Sequence, residues 1–283
     1  MKTKWIIQKN IFTEDVENII KALKELELPY ELIDVIPFSE TLPDIPHYDG
    51  PVVAYGSTTL MRLADKNWIW YDDNTFKPSH WGQLLGYHYM NHGAKIMPLR
   101  DVLDNRKHNW THGERFIRPN SDFKLFSGAI FRNGDFKDWY DRVKSLIESG
   151  TYVTLTLDTS VSVAEIVYIR AEYRFFIADR RIVGASQYIK NGKLDRSVDI
   201  DWNACLLAHD TANRGWQLAP AYVVDIADTA EGYKIIEFNN FNSSGFYECN
   251  IKDIILGASN LALKEWNNNQ TLCPIKCPIR GKL

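Results

Sequence analysis

Two stretches toward the C-terminal end carry side chains able to hold a metal ion against phosphate. Tyr222-Val223-Val224-Asp225-Ile226-Ala227 reads as one strand, and the run from Gly232 through Glu237-Phe238-Asn239 to Asn242 reads as the next. Side chains alternate along an extended strand, so Glu237 and Asn239 share a face while Ile236 and Phe238 turn to the opposite layer. Asp225, on the preceding strand across a turn containing Gly232, can sit over the ladder from that pair. Two carboxylates and one amide oxygen are hard donors of the kind Mg²⁺ takes, with phosphate oxygens and water completing its octahedron. A solvated hairpin face uses the same residue types, and spacing alone leaves both readings standing.

A second strand carries charge in a patterned way. In Ala171-Glu172-Tyr173-Arg174-Phe175-Phe176-Ile177, period two sends Glu172, Arg174 and Phe176 to one side and Tyr173, Phe175 and Ile177 to the other. The carboxylate and guanidinium on one face can pair with each other or meet a polar ligand. Other chemistries lack their residues. The seven histidines form no H-E-x-x-H pattern, and no serine sits in a nucleophile elbow. The four cysteines have no paired metal-ligand spacing, and Cys273-Pro-Ile-Lys-Cys277 reads first as a plain tail, with metal or redox use as the alternative.

The elements that must position these groups follow from periodicity. Residues 4–8 read as a buried strand, and Val16, Ile19, Ile20, Leu23 and Leu26 recur at helical spacing behind Thr13-Glu14-Asp15. Strands follow at 30–36 and 52–55, the latter running into a Gly56-Ser57-Thr58 turn that could offer backbone amides to an anion. This alternation predicts a small α/β domain over 1–105, with 94–98 returning to its sheet and 101–112 as a connector. Residues 67–90 are rich in Trp and Tyr; without a basic stripe beside them, interdomain packing is a better account than single-strand nucleic-acid binding. Beyond the connector the signals are those of an α+β unit over 106–283. It has a strand at 115–119 ending at Pro119, a helix at 137–147, strands at 161–167 and 171–177, another strand through 186, and a polar linker before a helix at 201–209. The last helix runs over 248–266.

At 283 residues the chain is large enough for two or three packed subdomains, and a net charge of −3 gives no general drive toward nucleic acid or anionic membrane. The opening Met1-Lys2-Thr3-Lys4-Trp5-Ile6-Ile7 carries no secretory h-region and no later run reaches membrane-spanning length, so a cytoplasmic location is expected.

The segment from Phe116 to Asn242 resembles the ATP-grasp fold, most closely the divergent ATP-grasp proteins of bacteria and their phages whose substrates are poorly defined. The resemblance rests on Phe116-Ile117-Arg118-Pro119, on Glu165 followed by Glu172-Tyr173-Arg174-Phe175-Phe176, on Gly184-Ala185-Ser186-Gln187-Tyr188, and on Asp225 with Glu237 and Asn239. It implies a nucleotide cleft between two subdomains, 106–190 carrying the phosphate- and adenine-binding part and 191–270 the metal-binding part. ATP and Mg²⁺ are then the expected cofactors, with Asp225, Glu237 and Asn239 as metal ligands. Arg118 stands where many relatives use lysine to touch phosphate, and a planar fork is not interchangeable with a point charge. Lys124 is a second phosphate candidate, and Glu165 and Ile166 match the segment passing the adenine. Glu172 matches a position able to engage ribose or a phosphate-bound cation, and Arg174 is the expected substrate or phosphate clamp.

The activity so implied is carboxylate–amine ligation through an acyl phosphate, with Arg118, Lys124 and Arg174 offsetting charge during transfer. The expected partners are a carboxylate-bearing small molecule, peptide or protein and an amine or related nucleophile. A kinase sharing the ATP site and a noncatalytic nucleotide-binding protein are the rival readings. No basic patch or lysine-nucleophile motif speaks for a nucleic-acid ligase, and no heptad commits the chain to an oligomer.

Overall fold

The computed structural model describes residues 1–11, 13–37, 39–104, 110, 113–121, 125–151 and 155–272. The chain begins with β1 (Lys4–Gln8), α1 (Thr13–Glu25), β2 (Tyr30–Ile33), β3 (Val52–Tyr55) and α2 (Thr58–Leu63). These build a parallel sheet of order β2-β1-β3. β1 is its middle strand and is buried at every position, as a parallel strand covered on both faces must be. α1 lays Val16, Ile19, Ala22 and Leu23 onto the core at helical spacing.

After α3 (Asp73–Phe76) and α4 (Pro78–Leu85), β4 (Lys95–Pro98) joins β5 (Glu114–Pro119), β6 (Ala129–Arg132) and β7 (Ser160–Ala164) in an antiparallel sheet of order β4-β7-β5-β6, covered by α5 (Asn133–Glu148). The sequence reading returns 94–98 to the first sheet; instead Lys95–Pro98 pairs antiparallel with β7, against Val163–Ser160. Local alternation marks a strand but carries no information about its partner, which burial of Met97 beside Val161 and Val163 decides. A boundary near 105 thus falls between two strands of one sheet.

The largest sheet has order β10-β9-β8-β11-β12, from β8 (Ile169–Ala178), β9 (Arg181–Lys190), β10 (Lys193–Ser197), β11 (Ala221–Thr229) and β12 (Gly232–Asn240). α6 (Trp202–Ala212) and α7 (Ile251–Leu272) pack on it. Two-residue hairpins join β8 to β9 at Asp179-Arg180 and β9 to β10 at Asn191-Gly192, all four residues at positive φ as a type I′ turn requires. The second hairpin replaces the polar linker expected there.

Both faces of this sheet are used. Ala171, Tyr173, Phe175 and Ile177 of β8, with Tyr222, Val224 and Ile226 of β11, enter a core shared with α4 and α6. Phe176, Ala178, Ala221 and Val223 face the other way, into one continuous core with β1, β3, α1 and α7. The first sheet is therefore packed against the largest one through apolar side chains. Among the described residues no helix is long and apolar enough to cross a membrane.

Candidate active site

The expected charged residues lie in one row across three strands. Register places Arg174 of β8 opposite Asp225 of β11, and Asp225 opposite Glu237 of β12. A β-bulge in β12 sets their faces: Asp225 pairs with Glu237 but Ile226 pairs with Ile235, leaving Ile236 as the extra residue. Glu237 and Asn239 turn to the Asp225 side while Ile235 and Phe238 both enter the opposite core. Strict alternation would assign Ile236 to that core; the bulge gives the place to Ile235.

The row is closed by hydrogen bonds. Arg174 donates from Nε to Asp225 Oδ1 at 2.9 Å and from Nη2 to Oδ2 at 2.8 Å, a two-pronged pair with side chains only 9% and 2% exposed. Its Nη1 donates to the Gly245 carbonyl at 3.2 Å. Asn239 Nδ2 donates to Asp225 Oδ2 at 3.0 Å and to Glu237 Oε1 at 3.1 Å. Arg118, arriving on β5 of the four-stranded sheet, pairs through Nη1 with Glu237 Oε2 at 2.7 Å and ties the two antiparallel sheets together. Burial works against the Arg174 charge, but the adjoining Asp225 carboxylate outweighs it and holds the guanidinium protonated well above its ordinary range.

Aromatic rings back the guanidinium. Tyr188 and Tyr247 stack with centroids 4.8 Å apart and planes 4° from parallel, and the Arg174 carbon lies 5.5 Å and 5.0 Å from the two centroids. Tyr247 has a left-handed backbone, φ 51°, a strain of about 1–2 kcal/mol in a non-glycine residue that its packed surroundings sustain. The Tyr188 hydroxyl donates to Glu172 Oε2 at 2.6 Å. Burial raises the Glu172 carboxyl above its ordinary pKa; the Tyr188 hydrogen bond opposes this, and the Asp225 and Glu237 charges add to it.

Arg118, Arg174, Asp225, Glu237 and Asn239 thus form one chain of contacts, with Glu172 joined to it through Tyr188. Glu165 instead pairs with Arg115 at 3.2 Å, its side chain 79% exposed just past the end of β7, and Ile166 beside it is exposed. Lys124, Cys273 and Cys277 lie outside the described residues. Asn242, in a polar run Asn242-Ser243-Ser244-Gly245 whose residue types could line a cleft and reach substrate or metal, is fully buried and spent on backbone: it accepts from Trp70 N at 3.0 Å and donates to Ala54 O at 2.7 Å. Ser243 and Ser244 close the chain reversal by donating to Asn240, as local hydroxyl bonding predicts.

Arg174 and Asn239 also line a cavity of roughly 600 Å³ whose remaining walls were only partly legible in the sequence. Glu14, Asp15 and Asn18 of α1 form one side, Ser57 and Thr58 another, and Arg196 of β10, Asn240, Ser243 to Gly245 and Tyr247 the rest. Glu14 and Asp15 read as first-turn acids of a helix, and Arg196 lies within the expected linker. Ser57-Thr58 and the polar run Asn242-Ser243-Ser244-Gly245 carried a binding signal; Ser57 serves there as the helix cap, its hydroxyl accepting from Leu60 N.

The donor set can be tested against a metal directly. Among the described residues no three His, Cys, Asp or Glu side chains are placed to hold an ion by themselves. Asp225 and Glu237 supply two carboxylates, bridged by the amide nitrogen of Asn239. That set suits an ion such as Mg²⁺, which takes one or two carboxylates and completes its shell with phosphate and water.

Comparison with known proteins bears on the same residues. A search of curated protein sequences gives no match. D-cycloserine synthetase DcsG superposes with a TM-score of 0.59 at 12% identity, covering 92% of this chain and 99% of that one. D-alanine–D-alanine ligase from Bacillus anthracis gives 0.56 at 10% identity over 95% and 100%. Macrocyclase MdnC from Microcystis aeruginosa, bound with precursor peptide MdnA, gives 0.52 at 11% identity over 91% and 99%. At these identities the likeness is one of fold. The family model for the ATP-grasp domain, R2K clade family 3, matches residues 67–257, which include the whole Arg118–Glu237–Asn239–Asp225–Arg174 network. The chain belongs to the ATP-grasp family, R2K clade family 3.

Proposed function

We propose that the protein is an ATP- and Mg²⁺-dependent ligase that activates a carboxylate as an acyl phosphate for attack by an amine or related nucleophile. The observation carrying this reading is the continuous network from Arg118 through Glu237, Asn239 and Asp225 to Arg174, which borders a cavity of roughly 600 Å³. A cavity next to a set of phosphate- and metal-binding groups gives a second substrate a place beside the nucleotide. The nucleotide cleft would lie where the β5 sheet meets the β8–β11–β12 sheet.

Arg118 and Arg174 would neutralise phosphate oxygens, and Asp225, Glu237 and Asn239 would hold the metal. Bound Mg²⁺ supplies positive charge to the triphosphate. The substrate carboxylate oxygen attacks the γ-phosphorus, the bond to the β–γ bridging oxygen breaks, and ADP departs with the electron pair. The nucleophile then attacks the acyl carbon and phosphate leaves, its nitrogen giving up a proton. A carboxylate is ionised at neutral pH, so the first step needs no base, and alignment and charge stabilisation supply the rate. The D-alanine–D-alanine ligase and the precursor-peptide macrocyclase among the structural neighbours support amino acids or peptides as the substrate class. The cell interior, where ATP is available, is the expected location.

The test is titration of the chain with a non-hydrolysable ATP analogue and Mg²⁺, followed by a structure of the complex. Nucleotide phosphates at Arg118 and Arg174 and metal at Glu237 are expected. Saturating analogue bound elsewhere, or not at all, would sink the proposal; a stable phosphorylated product with no ligation would select a kinase.

A further inference from the structure

The stretch from α4 to the start of β4 lies where the two antiparallel sheets meet, and it is pinned to both. On one side Asn120, two residues beyond Arg118, accepts from Ser79 N of α4 at 2.9 Å and donates to Ser79 Oγ at 2.9 Å. On the other side, two residues before Glu237, Ile235 forms a parallel bridge with Tyr89 and accepts from Met90 N at 2.9 Å. Next to it Lys234 Nζ donates to the Tyr87 carbonyl at 3.1 Å, against the Tyr87 ring. Arg118 and Glu237 meet between these anchors, so residues 79–91 run beside their ion pair.

Tyr89 and Asn91 bring two donors to this place. Their side chains are buried, 4% and 5% exposed, and neither the Tyr89 hydroxyl nor Asn91 Nδ2 has a hydrogen-bond partner among the described residues. The Tyr89 ring stands edge-on to Trp81 at 4.7 Å, and a Cβ on Gly82 would come within 2.9 Å of two of its carbons, so packing holds the hydroxyl where it is. Burial raises that hydroxyl above its ordinary pKa; the Arg118 charge and the Asn91 amide oppose this, and the Glu237 charge adds to it. The hydroxyl therefore stands within reach of the ion pair, and beside an amide that favours its ionised form without the geometry of a hydrogen bond. A buried donor without a partner destabilises the free chain, and an acceptor arriving with a ligand removes that cost.

We infer that Tyr89 and Asn91 bind a phosphate oxygen of the nucleotide, the hydroxyl and the amide nitrogen both donating to it beside Arg118. The inference rests on the ligase reading and adds to it two residues from outside the charged network. The donors themselves select the ligand: an amide nitrogen can only donate and a hydroxyl can donate, so the pair suits a group that only accepts, and the adjacent guanidinium suits an anion. The two arginines of the network are held by carboxylates, Arg118 by Glu237 and Arg174 by Asp225, whereas these two donors are unspent. Neutral and immobile, the pair positions the phosphate rather than neutralising it.

The experiment is titration of the full chain with a non-hydrolysable ATP analogue and Mg²⁺, comparing wild type with Tyr89→Phe, which removes one oxygen, and Asn91→Leu, which keeps the shape without the donor. Each variant should weaken the analogue about 10-fold or more, the range of one hydrogen bond to a charged acceptor. In the free chain Tyr89→Phe should melt at or above the wild-type temperature, because it removes a buried hydroxyl that has no partner; a hydroxyl with a structural role would lower it. A structure of the wild-type complex should show one phosphate oxygen within hydrogen-bond distance of both atoms. Wild-type affinity in either variant, a Tm of free Tyr89→Phe several degrees below wild type, or a complex in which water alone meets the two donors would each overturn the inference and leave the ligase reading standing. A wild-type chain that binds no analogue would overturn both.

Discussion

Replacing Arg174 with Met while keeping Asp225 leaves a carboxylate whose side chain is 2% exposed without its principal cation. The change removes two charge-assisted hydrogen bonds, 2.9 and 2.8 Å long, while the Asn239 amide still donates to the Asp225 carboxylate. Breaking a buried pair from one side costs about 3–5 kcal/mol, because the abandoned charge keeps its desolvation without its partner. For a chain of this length that corresponds to a fall in Tm of about 6–20 °C. Arg174→Lys, which keeps the charge but not the fork, should fall between Met and wild type. The assay is urea unfolding of Arg174→Met, Asp225→Asn and the double variant. Since each single change strands the other group's hydrogen bonds, the double variant should lose less than the two losses combined, with a coupling of about 1–3 kcal/mol. A loss below about 1 kcal/mol for Arg174→Met, the range of an exposed pair, or additive losses would refute the reasoning.

Other variants probe neighbouring parts of the molecule. Glu237→Gln preserves an acceptor for Arg118 but removes the charge, so Mg²⁺-dependent ATP turnover should drop about 100-fold or more in a chain that stays folded, its Tm lowered by the loss of the counter-charge to Arg118; unchanged turnover and metal dependence would remove Glu237 from the metal site. The Glu172 carboxyl, raised from 4.5 chiefly by burial, binds its proton more tightly folded than unfolded. Its contribution is therefore fully present below pH about 4.5 and lost as pH rises through the folded value, so Glu172→Gln should melt above wild type at pH 7–8 with the gap closing in acid. A variant that melts below wild type at pH 8 yet matches it at pH 4 would contradict that sign. A Cβ on Gly184 would stand 2.6 Å from Ile254 Cδ1 and Cγ1, so Gly184→Ala should cost about 1–3 kcal/mol in urea unfolding, partly restored by Ile254→Val.

Much of the site was legible because strands expose their faces through period two. Glu172 and Arg174 on one side of β8, with Tyr173, Phe175 and Ile177 on the other, stand in the structure as alternation places them. The same rule found Glu237 and Asn239 on one face of β12, and the type of each donor suggested the ion before any geometry was known. It misassigned Ile236, since a bulge adds one residue to a strand without leaving a mark in its alternation. It also sent 94–98 to the wrong sheet, since an alternating run states that a strand has two faces and says nothing of which edge it joins.

Residue types and spacing by themselves determined the two-sided strands and the family resemblance, and they suggested the metal-donor set, all of which rest on local periodicity and donor chemistry. Only the tertiary structure decided that Arg174 binds Asp225 rather than Glu172, that Arg118 crosses from another sheet to Glu237, and that Glu14, Asp15 and Arg196 share a cavity with them. Those meetings join residues scores of positions apart. They depend on strand register and on which apolar faces bury one another, quantities set by the whole chain's packing and written in no single stretch of it.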